Sequence, residues 1–167
     1  SIYFIAFIPI SGFAGTTKTY ISQYLGKGDL GSMKVIQRRI QFLTVLFLCI
    51  VLHGAVLYPE KIIEMVNPAD EYISKSAQIL RFISGSILIY GLVSVYFQTI
   101  NGSANTVISF SIEVICVGIY LIAAFILIKV FNVDILWVGT VEYIYFGSLG
   151  LLSILYLRFF DWKKKEV

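Results

Sequence analysis

A chain of 167 residues is long enough for one soluble domain, but 58% hydrophobic and only 14% charged residues, against about 25% charged in an ordinary soluble domain, exclude a water-bathed globule. The formal net charge of +3 does not point to nucleic acid, because the basic residues gather at the ends of apolar runs instead of forming a stripe with interleaved aromatics. The predicted class is an all-α, polytopic membrane helix bundle whose first partner is the lipid bilayer.

A helix crosses the hydrocarbon in about 20 mostly apolar residues. Five transmembrane helices are predicted on that basis: Ile2 to Tyr24, Ile40 to Tyr58, Ile79 to Gln98, Val107 to Ile128, and Leu136 to Phe160. The chain opens on Ser1 and enters the apolar run Ile2 to Ile10 at once, with no basic leader and no small-residue cleavage site, which predicts a fragment of a longer polypeptide. Pro9, Gly12 and Gly15 in the first span predict either a kinked, locally opened helix or close packing through small residues, and the residues leave both open.

Gly26-Lys27-Gly28-Asp29 then permits positive φ and predicts a sharp reversal, after which Lys34, Arg38 and Arg39 load the next stretch with positive charge. It is not a phosphate loop, since the G-x-x-x-x-G-K-[ST] spacing is absent. Cys49, His53 and Cys116 fall inside predicted spans, with no spacing that holds a metal or a structural disulfide, and are read as membrane-buried groups. Asn67-Pro68-Ala69-Asp70 has the order of a helix start: a capping Asn, Pro in the first turn and an acid near the positive dipole end. Further on, Arg81 is placed to snorkel into the headgroups, and Ser84, Gly91, Ser94 and Gln98 share a face suited to close helix contact and interhelical hydrogen bonds.

Five spans put the end of the first helix, the Asn101 loop and the C-terminus on one side. That side holds Lys18, Lys27, Lys34, Arg38, Arg39, Arg158 and Lys163 to Lys165, against Lys61, Lys75, Arg81 and Lys129 opposite, which predicts a cytoplasmic C-terminus. Lys163 to Lys165 with Trp162 read as a basic anchor at the interface, or as a binding point for anionic lipid.

Ionisable groups inside the hydrocarbon mark functional sites by default. Glu113 and Glu142 qualify, each roughly 9 Å from its nearer membrane surface but in helices that run in opposite directions, so that roughly 12 Å of depth separates them. The repeat Ser109, Glu113, Cys116, Tyr120, Ala123 assigns Glu113 to the bundle interior. Either acid suits exchange of a proton or sodium ion, or a hydrogen-bonded lock between helices. Tyr90, Tyr96, Tyr120, Tyr143 and Tyr145, with Gln98, are candidates to line a cavity whose rings face a cation, the alternative being ordinary membrane packing. No paired acids, Ser/His dyad, HExxH motif or metal cluster lies at one depth, so an enzyme is not expected.

The stretch Thr19-Tyr20-Ile21-Ser22-Gln23-Tyr24-Leu25-Gly26-Lys27-Gly28-Asp29 resembles the signature of multidrug and toxic compound extrusion (MATE) transporters, in which a helix ends in Gln followed by Leu-Gly-x-Gly-Asp. Phe97-Gln98-Thr99-Ile100-Asn101-Gly102-Ser103-Ala104-Asn105-Thr106 is similar to that family's reversal between its tenth and eleventh helices, and Tyr156-Leu157-Arg158 followed by Trp162-Lys163 to its usual end. The resemblance implies the eighth to twelfth helices of a transporter with two pseudo-symmetric six-helix lobes, so that the N-terminal lobe of the same polypeptide is a further partner.

It also implies an inner (plasma) membrane location and efflux of small organic, often cationic, substrates by alternating access. Sodium ions or protons would be the coupling ion, and no other cofactor is implied. The cytoplasmic turns would be formed by Gly26, Gly28, Asp29 and Gly102. The family's C-lobe cation site uses acids on the seventh and tenth helices, yet Ile79 to Gln98 contains no Asp or Glu, and Ala104 replaces the second glycine of the loop. A lipid-linked oligosaccharide flippase of the same broad superfamily is the alternative, with Lys18 its one hint.

Overall fold

The computed structural model describes residues 2–66 and 70–162. Among the described residues seven α-helices follow one another: α1 (Ile2–Gly26), α2 (Leu30–Leu57), α3 (Pro59–Val66), α4 (Asp70–Gly102), α5 (Thr106–Phe125), α6 (Ile135–Val138) and α7 (Thr140–Phe159), and α5 continues as a π-helical segment over Ile126–Val130. Helix α4 packs along α1, α2 and α7, while α5 lies mainly on α7.

Among the described residues, four helical stretches are long and apolar enough to cross a membrane: Leu30–Leu57, Ile73–Gly102, Thr106–Val130 and Ile135–Phe159. The first of the five expected spans is not among them. Helix α1 has the length, with 25 residues, but Gly12, Gly15, Thr16, Thr17, Lys18 and Thr19 dilute the apolar character of its second half. Along it, Thr16, Thr17 and Thr19 donate their hydroxyls to carbonyls four residues back, at 2.8, 2.9 and 3.0 Å, so the polar groups are satisfied within the helix. The helix runs on without interruption past Pro9.

Apolar packing among the described residues gathers in three clusters, of which the smallest, Ile21, Met33 and Trp162, sits at the basic end. Ile10, Leu48, Leu52 and Ile87 join α1, α2 and α4, whereas Val93, Ile100, Ile112, Cys116 and Leu149 join α4, α5 and α7. Outside them, large apolar side chains such as Phe42, Ile50, Phe110, Leu121 and Phe125 remain exposed, as expected where lipid is the solvent. Apolar burial does not drive helix association in lipid, so close approach through small residues matters more. A Cβ on Gly150 would lie 2.6 Å from Val93 Cγ2. The buried hydroxyls of Ser84 and Ser94 donate to Leu80 and Gly91 in their own helix, at 2.7 and 3.2 Å. Among the described residues that face therefore gives close contact, with Leu48 and Thr44 of α2 against Gly91, but not interhelical bonds; Gln37 Nε2 of α2 bridges instead, donating to Thr99 Oγ1 of α4 at 2.9 Å.

The turn between α1 and α2 is built as its residues require. Gly28 adopts φ +72°, and Asp29 caps α2 by accepting the Ser32 backbone N–H at 3.0 Å. Bonding to Ser32 holds the Asp29 carboxyl below its ordinary value of 3.8, with Lys27 adding a smaller pull in the same direction. A carboxyl lowered in the folded state contributes stability above its unfolded pKa and loses it as pH falls through the folded value. The melting-temperature advantage of the wild type over Asp29→Asn in detergent should therefore hold at neutral pH and shrink below about pH 4. An advantage that does not change down to the acid limit would remove the charge from the cap.

Gly102 ends α4 in a buried position, and the next turn is closed by Ala104 at φ +62°. That conformation suits glycine, and alanine pays for it in steric contact with its carbonyl. Ala104→Gly should raise the stability of the chain by about 0.5–1 kcal/mol after the entropic cost of glycine is subtracted. Denaturant titration in mixed micelles measures it, and an unchanged or lowered midpoint would count against the strain.

At the same end, Trp162 is buried against Ile21 and Met33, its indole N–H donating to the Leu157 carbonyl at 3.0 Å. The interfacial anchor expected from Trp162 is thus a packed core residue, because the chain turns back after α7 onto the α1–α2 reversal. Asn105 Nδ2 ties the fold down by donating to the Trp162 carbonyl at 3.3 Å. Arg81, exposed, donates its Nε to the Val56 carbonyl at 3.0 Å, satisfying an end group of α2. The expected cap at Asn67 to Ala69 and the run Lys163 to Lys165 lie outside the described residues.

Candidate functional site

The two intramembrane acids sit in different settings. Glu142 lies in the first turn of α7, half-buried, and its backbone N–H donates to the Gly139 carbonyl at 3.1 Å. The uninterrupted helix expected from 136 to 160 is divided at Gly139 into α6 and α7. That break places an acid against the positive end of a helix, where a carboxylate is favoured. Glu142 opens on a cavity of about 350 Å³ whose walls include Phe82 and Ile83 of α4, Tyr120 and Ala124 of α5, and Val141 of α7.

Glu113 does not occupy the bundle interior. Its side chain is exposed, whereas Ser109, Ile112 and Cys116 form the buried stripe of α5. Steps of three and four residues from Ser109 lead equally to Ile112 and Glu113, and the single face that α5 lays on α7 selects Ile112.

Aromatic rings connect the helices in a ladder. Phe7 stacks on Tyr90 at 5.2 Å between centroids, Tyr90 meets Phe146 at 4.8 Å, Phe146 meets Tyr145 at 5.3 Å, and Tyr145 meets Tyr120 edge-on at 5.9 Å. These spacings lie in the favourable range for ring pairs. The ladder runs from α1 through α4 and α7 to α5 and ends at the wall of the Glu142 cavity. Phe7, Phe82 and Phe146 had no place among the expected lining residues, because their partners lie on helices remote in sequence.

The other tyrosines stand elsewhere. Tyr143 donates its hydroxyl to the Phe82 carbonyl at 2.5 Å and packs edge-on against that ring. Tyr96 lies toward the basic end, beside Gln37 and Arg38. Gln98 accepts a hydrogen bond from Asn101 at 3.3 Å, and Asn101 in turn accepts one from Ser109 at 2.7 Å, so Gln98 belongs to the polar lacing of the α4–α5 reversal. Cys116 is buried, but Cys49 and His53 are exposed along α2, with His53 Nδ1 against the Ile50 carbonyl.

A family model described as MatE matches residues 1–126. No curated protein and no solved structure matches the chain.

Proposed function

Because this chain belongs to the MatE family of membrane transporters, we propose that it forms part of the C-terminal lobe of a multidrug exporter, exchanging organic cations for sodium ions or protons by alternating access. The family consists of transporters, not enzymes, so the intramembrane acid is read as a coupling or substrate-facing group. The observation that carries the proposal is Glu142, half-buried beside an aromatic-walled cavity. A lipophilic cation satisfies both halves of that setting: its charge meets the carboxylate, and its apolar body packs against Phe82 and Tyr120.

The basic end of the bundle, with Lys27, Lys34, Arg38, Arg39 and Arg158, faces the cytoplasm in this reading, and the membrane is the inner or plasma membrane. Gly26, Gly28, Asp29 and Gly102 then form cytoplasmic reversals. The N-terminal lobe of the same transporter supplies the opposite wall of the substrate path.

The test uses the whole transporter in inverted vesicles loaded with an imposed sodium or proton gradient. Ethidium transport should follow one of the two gradients and collapse when the matching ionophore dissipates it. Transport of cations that ignores both gradients would sink the proposal. Accumulation of a lipid-linked precursor on deletion, without any change in drug tolerance, would transfer the chain to the flippase reading for which Lys18 is the hint.

A further inference from the structure

At the basic end, a second cavity of about 370 Å³ opens between α2, α4 and α7. Its rim brings Lys34 and Arg38 of α2 to Arg158 of α7, and among the described residues no carboxylate lines it. Lys34 and Arg38 are one helical turn apart, a spacing at which like charges repel. Arg158 adds a third cation from the facing helix. Such a cluster is stabilised by an anion with several acceptor oxygens.

The space does not end at the charges. An adjoining cavity of about 480 Å³ shares Gln37, Arg38 and Tyr96 with the first and continues along α2 past Gln41 to Phe42 and Val45. Its outer part is therefore apolar, and Gln41 Nε2 and Oε1 find no hydrogen-bond partner among the described residues. A cationic mouth, an unsatisfied amide one turn deeper and an apolar lane beyond follow the order of groups in a phospholipid: phosphate, glycerol ester, acyl chain. Free phosphate would use the mouth and leave the lane empty.

We propose that this groove between α2, α4 and α7 is a binding site for an anionic phospholipid, its phosphate held by Lys34, Arg38 and Arg158 and one acyl chain lying against Phe42, Val45 and Tyr96. The site lies apart from the Glu142 cavity and does not depend on which compound is exported. Occupied, the lipid ties the start of α2 to the end of α7, two elements otherwise joined there through Trp162.

Trp162 lines the mouth and provides the probe. These 167 residues hold two tryptophans, so in the whole transporter Trp137 and any tryptophan outside them are replaced by Phe, which leaves Trp162 as the sole indole. That protein in phosphatidylcholine nanodiscs is titrated with phosphatidylglycerol brominated on its acyl chains, and separately with equally brominated phosphatidylcholine. Phosphatidylglycerol should quench Trp162 at markedly lower mole fraction, and the preference should fall as salt is raised. Arg38→Gln and Arg158→Gln should each weaken it about fivefold, whereas Lys27→Gln and Arg39→Gln, cations at the same end but outside the groove, should leave it unchanged.

Equal quenching by the two lipids overturns the proposal, as does an equal loss from Lys27→Gln and Arg39→Gln, which would indicate general surface charge. Millimolar inorganic phosphate that displaces phosphatidylglycerol at constant ionic strength overturns the assignment to lipid in favour of a free anion. The salt dependence of the wild type needs no variant, and a preference insensitive to salt would also refute the site.

Discussion

Glu142→Gln in the whole transporter should reduce ion-driven efflux of a cationic dye to the background of empty vesicles, with the amount of protein in the membrane unchanged. The reason lies in a near balance of energies. A carboxylate within the hydrocarbon costs about 2.5–3.5 kcal/mol on insertion scales. The positive end of a helix returns about 0.3–1 kcal/mol, and up to about 2 in partly buried geometry. Glu142, in the first turn of α7 beside the break at Gly139, is left with a residual cost of a few kcal/mol at most by that arithmetic. A cost of that size is met by one bound proton, one sodium ion or one cationic substrate, and these compete.

Glutamine keeps the size and one acceptor oxygen but removes the exchangeable charge. Coupling should vanish while folding survives. Glu113→Gln should cost less, because that side chain is exposed and makes no wall of the cavity. Efflux that persists at full rate in Glu142→Gln, measured beside equal protein levels, would remove this acid from the mechanism. A larger loss from Glu113→Gln would move the coupling role to α5.

The difference between the two acids could not be read from the sequence, although the helices that carry them could. Long apolar runs bounded by Gly-Lys-Gly-Asp and by Asn-Gly-Ser-Ala indicate where helices run and where the chain reverses, because both signals are local. Which face of a helix is inside depends on its neighbours. Helix α5 buries a narrow stripe on α7, and a turn of about 100° separates Ile112, which is buried, from Glu113, which is exposed. Spacing alone treats both as continuations of Ser109.

The interior placement of Trp162 and the reach of Arg81 to Val56 were hidden for the same reason, each depending on a helix distant in sequence. Helix α3 is a different case. Pro59 in its first position and Glu60 in its first turn are local start signals, but eight residues are too few to span a membrane, so a search for spans passes over them. The aromatic ladder was legible as composition only. Eleven tyrosines and thirteen phenylalanines say nothing of which pairs meet, and the ladder draws its rings from α1, α4, α5 and α7.

Gly102→Val should destabilise the bundle by about 3 kcal/mol, the largest effect on stability expected of any single glycine here. A Cβ at this position would lie 2.6 Å from the Lys18 carbonyl oxygen and 2.9 Å from Ile21 Cβ. The first neighbour is backbone, so it cannot rotate away as the tip of a side chain does. Relief requires α1 and α4 to separate just where Ile21 enters the packing around Met33 and Trp162, and in lipid such close approach supplies much of what holds helices together. Gly118→Val on α5, where nothing lies within 4 Å of the added Cβ, provides the control for the intrinsic effect of a β-branched residue in a helix. Thermal melting in detergent, followed by tryptophan emission, should show a marked drop for Gly102→Val and a minor one for Gly118→Val. Gly102→Ala should fall between them, since one methyl already meets the carbonyl. Equal melting of the two valine variants would mean that α1 and α4 do not approach so closely at Lys18, and the contact that joins the first reversal of the chain to the second would lose its basis.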